Sequence, residues 1–353
     1  MQPRDLRLTC VRRRQEAADV VTFAFRDEDG RPFTHLPGQA LTLALPLPGE
    51  VAWRSFTIAS APNVSGEVEL TVKAAPNGFA TRWMHDNLNE GVTIEARGPI
   101  GQFSIAHHYA PAFALVSGGS GVTPMMSMLR WLADRGETVD VVFIHAARTP
   151  DDVLFAQELA ELDRRMPNLR IVTVVSDVPQ GQSWTGYRGM IDRRMMAHMV
   201  PYIAQREVFC CGPSGFMSAI GRIYDAEGGD ASHFHTESFG AARAIAVPVA
   251  EEAVEPLAGA GTTLTIDGRV MTAAPGATVL AAARAGGLII PTGCQEGVCG
   301  TCRLRKIEGE VEMIHKGGIT PREERQGYIL ACCSRPIGDL TLTMKRASTS
   351  SHQ

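Results

Sequence analysis

Four cysteines towards the C-terminal end constrain this chain more than any other feature. Cys294, Cys299 and Cys302 lie in Gly293-Cys294-Gln295-Glu296-Gly297-Val298-Cys299-Gly300-Thr301-Cys302, and Cys332 follows in Leu330-Ala331-Cys332. A Cys-x4-Cys-x2-Cys run with a fourth cysteine further on is the plant-type spacing for a [2Fe–2S] cluster. Glycines at 293, 297 and 300 suit a loop that turns tightly and aims backbone N–H groups at sulfur. The alternatives are a structural zinc site or a disulfide framework. Zinc sites usually use paired Cys-x2-Cys arms, and only one occurs here. Cys333, beside Cys332, leaves two candidates for the fourth ligand.

A cluster carries one electron at a time, so the rest of the chain has to supply electrons. At 353 residues it is long enough for two or three domains. A net charge of -4 gives no general affinity for nucleic acid or an anionic membrane. The start lacks the apolar core of a signal peptide, and no uncharged run is long enough to span a bilayer. The expectation is a cytoplasmic protein, in which eight cysteines point to metal or redox use.

Residues 1–108 show short alternating runs at Leu6 to Val11, Val20 to Phe25, Gln39 to Leu45, Arg54 to Ile58, Glu67 to Lys73 and Val92 to Ala96. Turn residues separate them, which predicts a small antiparallel β-barrel. Within it, Arg54-Ser55-Phe56-Thr57 offers a guanidinium for a pyrophosphate, a ring for a flat heterocycle and hydroxyls for its polar edge. Gly78-Phe79-Ala80-Thr81 opens a helix expected over Thr81 to Leu88, and free N–H groups there suit an anion. Lys73 is counted with these cofactor-binding candidates.

Residues 109–240 alternate strands and helices, predicting an α/β domain on a parallel, doubly wound sheet. An apolar strand at Phe113 to Ser117 runs into Gly118-Gly119-Ser120-Gly121-Val122-Thr123-Pro124 and a helix over Met125 to Asp134. Gly119, Ser120, Gly121, Thr123 and Pro124 read as a pyrophosphate loop at a helix start. Further strands are expected at Val139 to His145, Arg170 to Val175, Glu207 to Cys210 and His233 to Thr236. Asp177, after the third strand, suits the free 2′-hydroxyl of NADH, whereas Arg148 could meet a 2′-phosphate; the balance favours NADH. His107, His108, His198, His233 and His235 show no metal spacing and read as surface or satisfied interior groups.

Residues 241–260 are rich in Ala, Val, Pro, Glu and Gly and read as a linker. In 261–353, strands at Thr263 to Ile266, Arg269 to Met271, Arg303 to Ile307, Tyr328 to Cys332 and Leu340 to Met344, with a helix over Thr278 to Ala285, fit an α+β, β-grasp pattern.

Taken in order, these segments resemble the ferredoxin reductase superfamily. Arg54-Ser55-Phe56-Thr57 is similar to its Arg-x-Tyr-Ser/Thr flavin motif, with Phe56 where tyrosine is more usual, and Gly78 to Thr81 to its Gly-x-x-Ser/Thr phosphate segment. Gly98-Pro99-Ile100-Gly101-Gln102-Phe103 resembles a segment of its FAD-binding members, implying FAD. Gly118 to Pro124 matches its nucleotide loop. Cys211-Gly212-Pro213, followed by Met217, resembles a Cys-Gly-Pro-x-x-Met motif with one extra residue, implying that Cys211 packs near nicotinamide. The resemblance also implies that Glu237-Ser238-Phe239 returns towards the flavin, and that Cys332 is the fourth ligand. It implies a reductase passing electrons from NADH through FAD and the [2Fe–2S] cluster to a Rieske-type terminal oxygenase, of the kind that demethylates glycine betaine and related quaternary amines. The alternatives are a reductase serving another acceptor, such as a hybrid-cluster protein, and a non-catalytic nucleotide-sensing protein.

Overall fold

The structure, a computed structural model, describes residues 3–31, 33–47, 50–62, 66–75, 78–237, 239, 261–288, 290, 297, 302–315, 318, 319 and 321–344. The linker 241–260 lies outside them, as do Cys294 and Cys299. The chain divides into two compact units, one of Pro3–Glu50 with Phe56–Phe239, the other of Gly240–Gln353 with Val51–Ser55.

Six strands form an antiparallel sheet: β1 (Arg4–Ala17), β2 (Val20–Asp27), β3 (Ala40–Leu47), β4 (Glu50–Thr57), β5 (Glu67–Lys73) and β6 (Thr93–Ile100), in the order β4-β3-β6-β1-β2-β5. A bridge from Ile58, just past β4, to Leu70 of β5 brings the two edges together, so the sheet curls into a barrel. Bulges at Cys10/Arg12 and Gln15/Ala17 bend the long strand β1. Alternating Leu8, Phe23, Phe25, Leu41, Leu43, Leu45 and Leu70 fill the interior. Each such side chain contributes roughly 1.5–3 kcal/mol on burial. Helix α1 (Phe79–Asn87), which starts two residues before the expected position, buries Met84 against the barrel.

The parallel sheet follows: β7 (Ala112–Gly118), β8 (Asp140–Ala147), β9 (Leu169–Val175), β10 (Tyr187–Arg188), β11 (Glu207–Cys211) and β12 (Phe234–Glu237), ordered β10-β9-β8-β7-β11-β12. Helices α2 (Val122–Asp134), α3 (Ala156–Arg165), α4 (Arg193–Met199) and α5 (Ser214–Ala226) connect its strands. The period of two sends Leu115, Phe143 and Phe209 into one core with Met125 and Met128 of α2. Val116, Ile144, Val208 and Cys210 enter another with Tyr224 of α5. The two-residue strand β10 is too short to leave an alternating pattern in the sequence.

Helix α2 also fastens the sheet to the barrel. Ser127 Oγ donates to Ser60 O at 2.8 Å, and Arg130, 12% exposed, donates to Ala59 O at 2.7 Å and to both oxygens of Glu158 at 2.6 Å. Buried guanidinium is costly unless paired on several sides, as it is here.

The second unit holds a mixed sheet ordered β14-β13-β19-β15-β17, from β13 (Thr262–Ile266), β14 (Arg269–Ala273), β15 (Arg303–Glu308), β17 (Tyr328–Leu330) and β19 (Leu340–Thr343). β16 (Val311–Met313) and β18 (Ser334–Pro336) pair separately. Thr278 caps α6 (Val279–Ala285) by accepting from Ala281 N–H, and the helix buries Val279, Leu280 and Ala283 with Leu264, Ile266 and Leu304. The strand expected over Tyr328 to Cys332 stops at Leu330, because Ala331–Cys333 form a turn whose Cys333 N–H returns to Leu330 O at 3.1 Å.

Candidate active site and electron-transfer centre

The chain order in the parallel sheet reverses between β7 and β11. Open α/β sheets bind ligands beyond the carboxyl ends of their strands at such a point. Two loops meet there. Gly119–Gly121 forms a single 3-10 turn, and α2 begins at Val122 rather than at Met125, leaving Pro124 in its first turn. Gly119 has φ +56° and open space where a side chain would stand. Gly121 is pressed against the second loop: a Cβ there would lie 2.5 Å from the Cys211 carbonyl carbon and 2.7 Å from Gly212 N. One at Gly212 would lie 2.9 Å from the Phe216 ring. The two loops therefore pack main chain against main chain, while Gly119 leaves open space ahead of the α2 N-terminus, whose N–H groups suit an anion. Thr123 Oγ1 donates to Ser120 O at 3.1 Å and braces the loop from within. Pro213 caps α5.

Arg148 and Asp177 stand at the same end of the sheet, joined by Asp177 N–H donating to Arg148 O at 2.8 Å. Both side chains are paired: Asp177 with Arg188 at 3.2 Å, Arg148 with Asp152 at 3.1 Å. The sequence reading passed over Arg188, since β10 left no signal. Lys73 pairs with Asp19 at 3.1 Å and with Asp152 at 3.7 Å.

Cys211 and Glu237 are register partners at the ends of β11 and β12. Burial, and then the Glu237 carboxylate, push the Cys211 thiol well up, so it stays a neutral packing group. Glu237 Oε2 accepts from Thr57 Oγ1 at 3.4 Å, so the end of β4 meets the end of β12. Phe239 is 41% exposed, and Ser238 lies outside the described residues. Arg54 Nη1 donates to Trp53 O at 2.9 Å; Phe56 packs partly against the barrel core. At the start of α1, Thr81 Oγ1 accepts from Ala75 N–H at 3.0 Å and donates to Gly78 O at 3.3 Å. The hydroxyl read as a phosphate contact thus holds its own turn. Phe79 stands 82% exposed and Ala80 packs on the core.

In the second unit, Cys302 and Cys332 come together, with Cys332 N–H donating to Cys302 Sγ at 3.4 Å. Hydrogen bonds from Cys302 and then Cys333, opposed by burial and helped by the Gly297 backbone, draw the Cys332 thiol down to about 3. A thiolate at Cys332 beside the Cys302 sulfur suits iron ligation. Cys333 points its thiol to Leu330 O at 3.7 Å. Gly297, at φ +72°, has no room for a Cβ, which would lie 2.9 Å from Cys333 Sγ.

Barrel, switch-point crevice and paired thiols together define a flavin-dependent pyridine-nucleotide oxidoreductase with an iron–sulfur domain. Family models agree: an oxidoreductase FAD-binding domain matches residues 7–105, an oxidoreductase NAD-binding domain 115–222, and a 2Fe-2S iron-sulfur cluster binding domain 264–336. The chain is 44% identical to the stachydrine N-demethylase reductase subunit of Rhizobium meliloti, over 94% of either chain. It is 40% identical to the glycine betaine monooxygenase reductase subunit of Pseudomonas aeruginosa, over 94% of this chain and 93% of that one. The solved structure of a phthalate dioxygenase reductase shares the fold at a TM-score of 0.57 and 24% identity, over 96% of this chain and 98% of that one. The chain belongs to the family of these reductase subunits and joins FAD-binding, NAD-binding and 2Fe-2S domains in that order. No described helix is long and apolar enough to cross a membrane.

Proposed function

We propose that the chain takes electrons from NADH and delivers them singly, through FAD and a [2Fe–2S] cluster, to a separate terminal oxygenase acting on an N-methylated quaternary amine. The observation that carries this reading is the full-length likeness to two reductase subunits whose systems act on stachydrine and glycine betaine. When bound, the flavin accepts a hydride and the cluster accepts one electron at a time.

The chain's own residues bind and orient. The Gly119–Gly121 turn and Gly212-Pro213 hold the dinucleotide backbone, and Asp177 discriminates for the free ribose of NADH. Arg54, Ser55, Phe56 and Thr57 with Gly78 to Thr81 hold FAD. Thr57 and Glu237 supply the hydroxyl and carboxylate where the two domains meet, Cys211 packs there, and Phe239 covers the ring. Cys294, Cys299, Cys302 and Cys332 ligate the cluster. No side-chain general acid or base is assigned, because the residues named would only bind and orient the two rings, and the bound cofactors would supply the hydride chemistry.

The test is an anaerobic titration with NADH and then NADPH, following flavin bleaching optically and cluster reduction by electron paramagnetic resonance. Reduction of flavin and then cluster by NADH is expected. Failure of both nucleotides to bleach a flavin would sink the reading. The acceptor is tested separately, by NADH-driven demethylation of glycine betaine or stachydrine with a matching oxygenase; no turnover above background rejects the quaternary-amine assignment.

A further inference from the structure

The five histidines named above show no metal spacing along the chain, yet folding gathers two of them around one carboxylate. His108 Nδ1 lies 2.7 Å from Glu207 Oε1, and His235 Nε2 lies 2.6 Å from the same oxygen. The three candidate donor atoms all lie within 4.8 Å of one another. They come from three segments that only the tertiary fold unites. His108 follows the 3-10 turn Ile105–His107 ahead of β7, Glu207 is the first residue of β11, and His235 lies on β12.

The local structure fixes all three. In β11 the period of two places Glu207 on the same side as Phe209, and Phe209 is the register partner of His235. The Phe209 ring packs on His235 at 4.8 Å and on His108 at 5.3 Å, edge on, while Phe103 closes on it from the barrel side at 5.3 Å. The imidazoles are thus held against an apolar wall with their polar edges on Glu207. The side chains are 26%, 9% and 21% exposed for His108, Glu207 and His235. One side therefore stays open to an entering ion and to a water.

We propose that His108, Glu207 and His235 form a binding site for one divalent transition-metal ion of the zinc class. Two imidazoles and a carboxylate, with water in the fourth position, match the donor preference and coordination number of zinc. The pair of close contacts to one oxygen needs only a small opening: at bonds of about 2.0–2.1 Å the ion sits between donors that must stand somewhat over 3 Å apart. The ion replaces the two N–H···O contacts, so the imidazoles bind in their neutral form and the site's net charge changes from minus one to plus one. The site lies at the opposite end of β11 from Cys211, four residues or about 13 Å away at the usual rise of a strand. It is therefore a staple between the barrel-to-sheet connection, β11 and the edge strand β12, and takes no part in electron transfer.

The test uses the holoprotein with flavin and cluster in place. It is equilibrated with zinc sulfate, freed of loose ion on a column carrying a weak chelator, and analysed for zinc and iron. One zinc per chain is expected beyond the cluster iron. In the double variant His108→Gln/His235→Gln, whose amides keep contacts to Glu207, this zinc is lost while FAD and iron stay. Glu207→Gln lowers zinc affinity at least tenfold, since loss of an outer-shell partner alone costs 10–100-fold. Zinc-edge absorption spectroscopy on the unaltered protein shows imidazole nitrogen and oxygen at about 2.0–2.1 Å and no sulfur at about 2.3 Å. No retained zinc, zinc retained equally by the double variant, or sulfur scattering each overturns the proposal. The spectrum decides even if a variant fails to fold.

Discussion

Gly121→Ala tests the contact between the two nucleotide loops. Gly121 has an ordinary helical φ of -63°, so alanine brings no backbone strain; what it lacks is space. The new methyl would lie 2.5 Å from the Cys211 carbonyl carbon and 2.7 Å from Gly212 N, both main-chain atoms. Reaching ordinary carbon contact at about 3.5 Å requires the loops to part by roughly 1 Å. Overpacking of this kind costs about 1–3 kcal/mol. If the protein folds with the loops parted, part of that cost falls on nucleotide binding. If about half of the larger cost does so, at about 1.4 kcal/mol per decade, NADH affinity drops about tenfold. Anaerobic stopped-flow bleaching of the flavin against NADH concentration measures it, with FAD and iron content checked first. Gly215→Ala is the control: it sits in α5 just past the second loop, meets nothing within 4 Å, and alanine suits a helix. If Gly121→Ala saturates at the same NADH concentration as the parent, or Gly215→Ala loses as much, the close-approach argument is wrong.

Other outcomes follow from single groups. Cys332→Ser should lose cluster iron and its optical bands, while Cys333→Ser keeps them; the reverse pattern would make Cys333 the ligand. Asp177→Asn removes a carboxylate opposed to a 2′-phosphate and releases Arg188, so the NADPH-to-NADH ratio of kcat/KM should rise about tenfold; an unchanged ratio would show that neither residue reads the ribose. His145 is wholly buried, and desolvation lowers its pKa to about 4. Leu154 N–H donates to its Nε2 at 3.3 Å, so the proton sits on Nδ1 and faces Ser117 Oγ at 3.1 Å. The unfolded chain takes up this proton near pH 6.5 and the folded chain does not, so stability falls as pH drops from about 6.5 towards 4. From pH 6.5 to 5 this one group costs about 1.5 kcal/mol. The thermal midpoint of His145→Asn should therefore fall less over that interval than that of the parent; an equal fall would place the acid sensitivity elsewhere.

The fold was legible because its periods are plain. Alternation along Val20 to Phe25 and Glu67 to Lys73 announces barrel strands, and Phe113 to Ser117 before a glycine run announces the central parallel strand. Local backbone features were equally readable: the glycine run turns tightly at Gly119, with φ +56°, and Pro124 falls in the first turn of α2. What escaped depends on distant partners. The bracing of Thr81, whose hydroxyl accepts from Ala75 N–H at 3.0 Å, leaves no mark in the sequence. Arg188 lies on a strand of two residues, too short for any pattern. His108, Glu207 and His235 are separated by 99 and 28 positions and meet only because β11 and β12 lie side by side. The strand expected through Cys332 ends early because a turn has no hydrophobic period of its own.

Arg130 has a consequence for where this protein can be cut and recombined. Its guanidinium belongs to a helix of the nucleotide sheet, but one of its carbonyl partners, Ala59, and the more distant carboxylate of Glu69 at 3.5 Å belong to the barrel. A chimaera that takes its barrel from one relative and its sheet from another would bury a cation whose acceptors had changed, at about 3–5 kcal/mol if a partner is lost. The flavin and nucleotide parts are thus a single exchangeable cassette despite their unlike architectures.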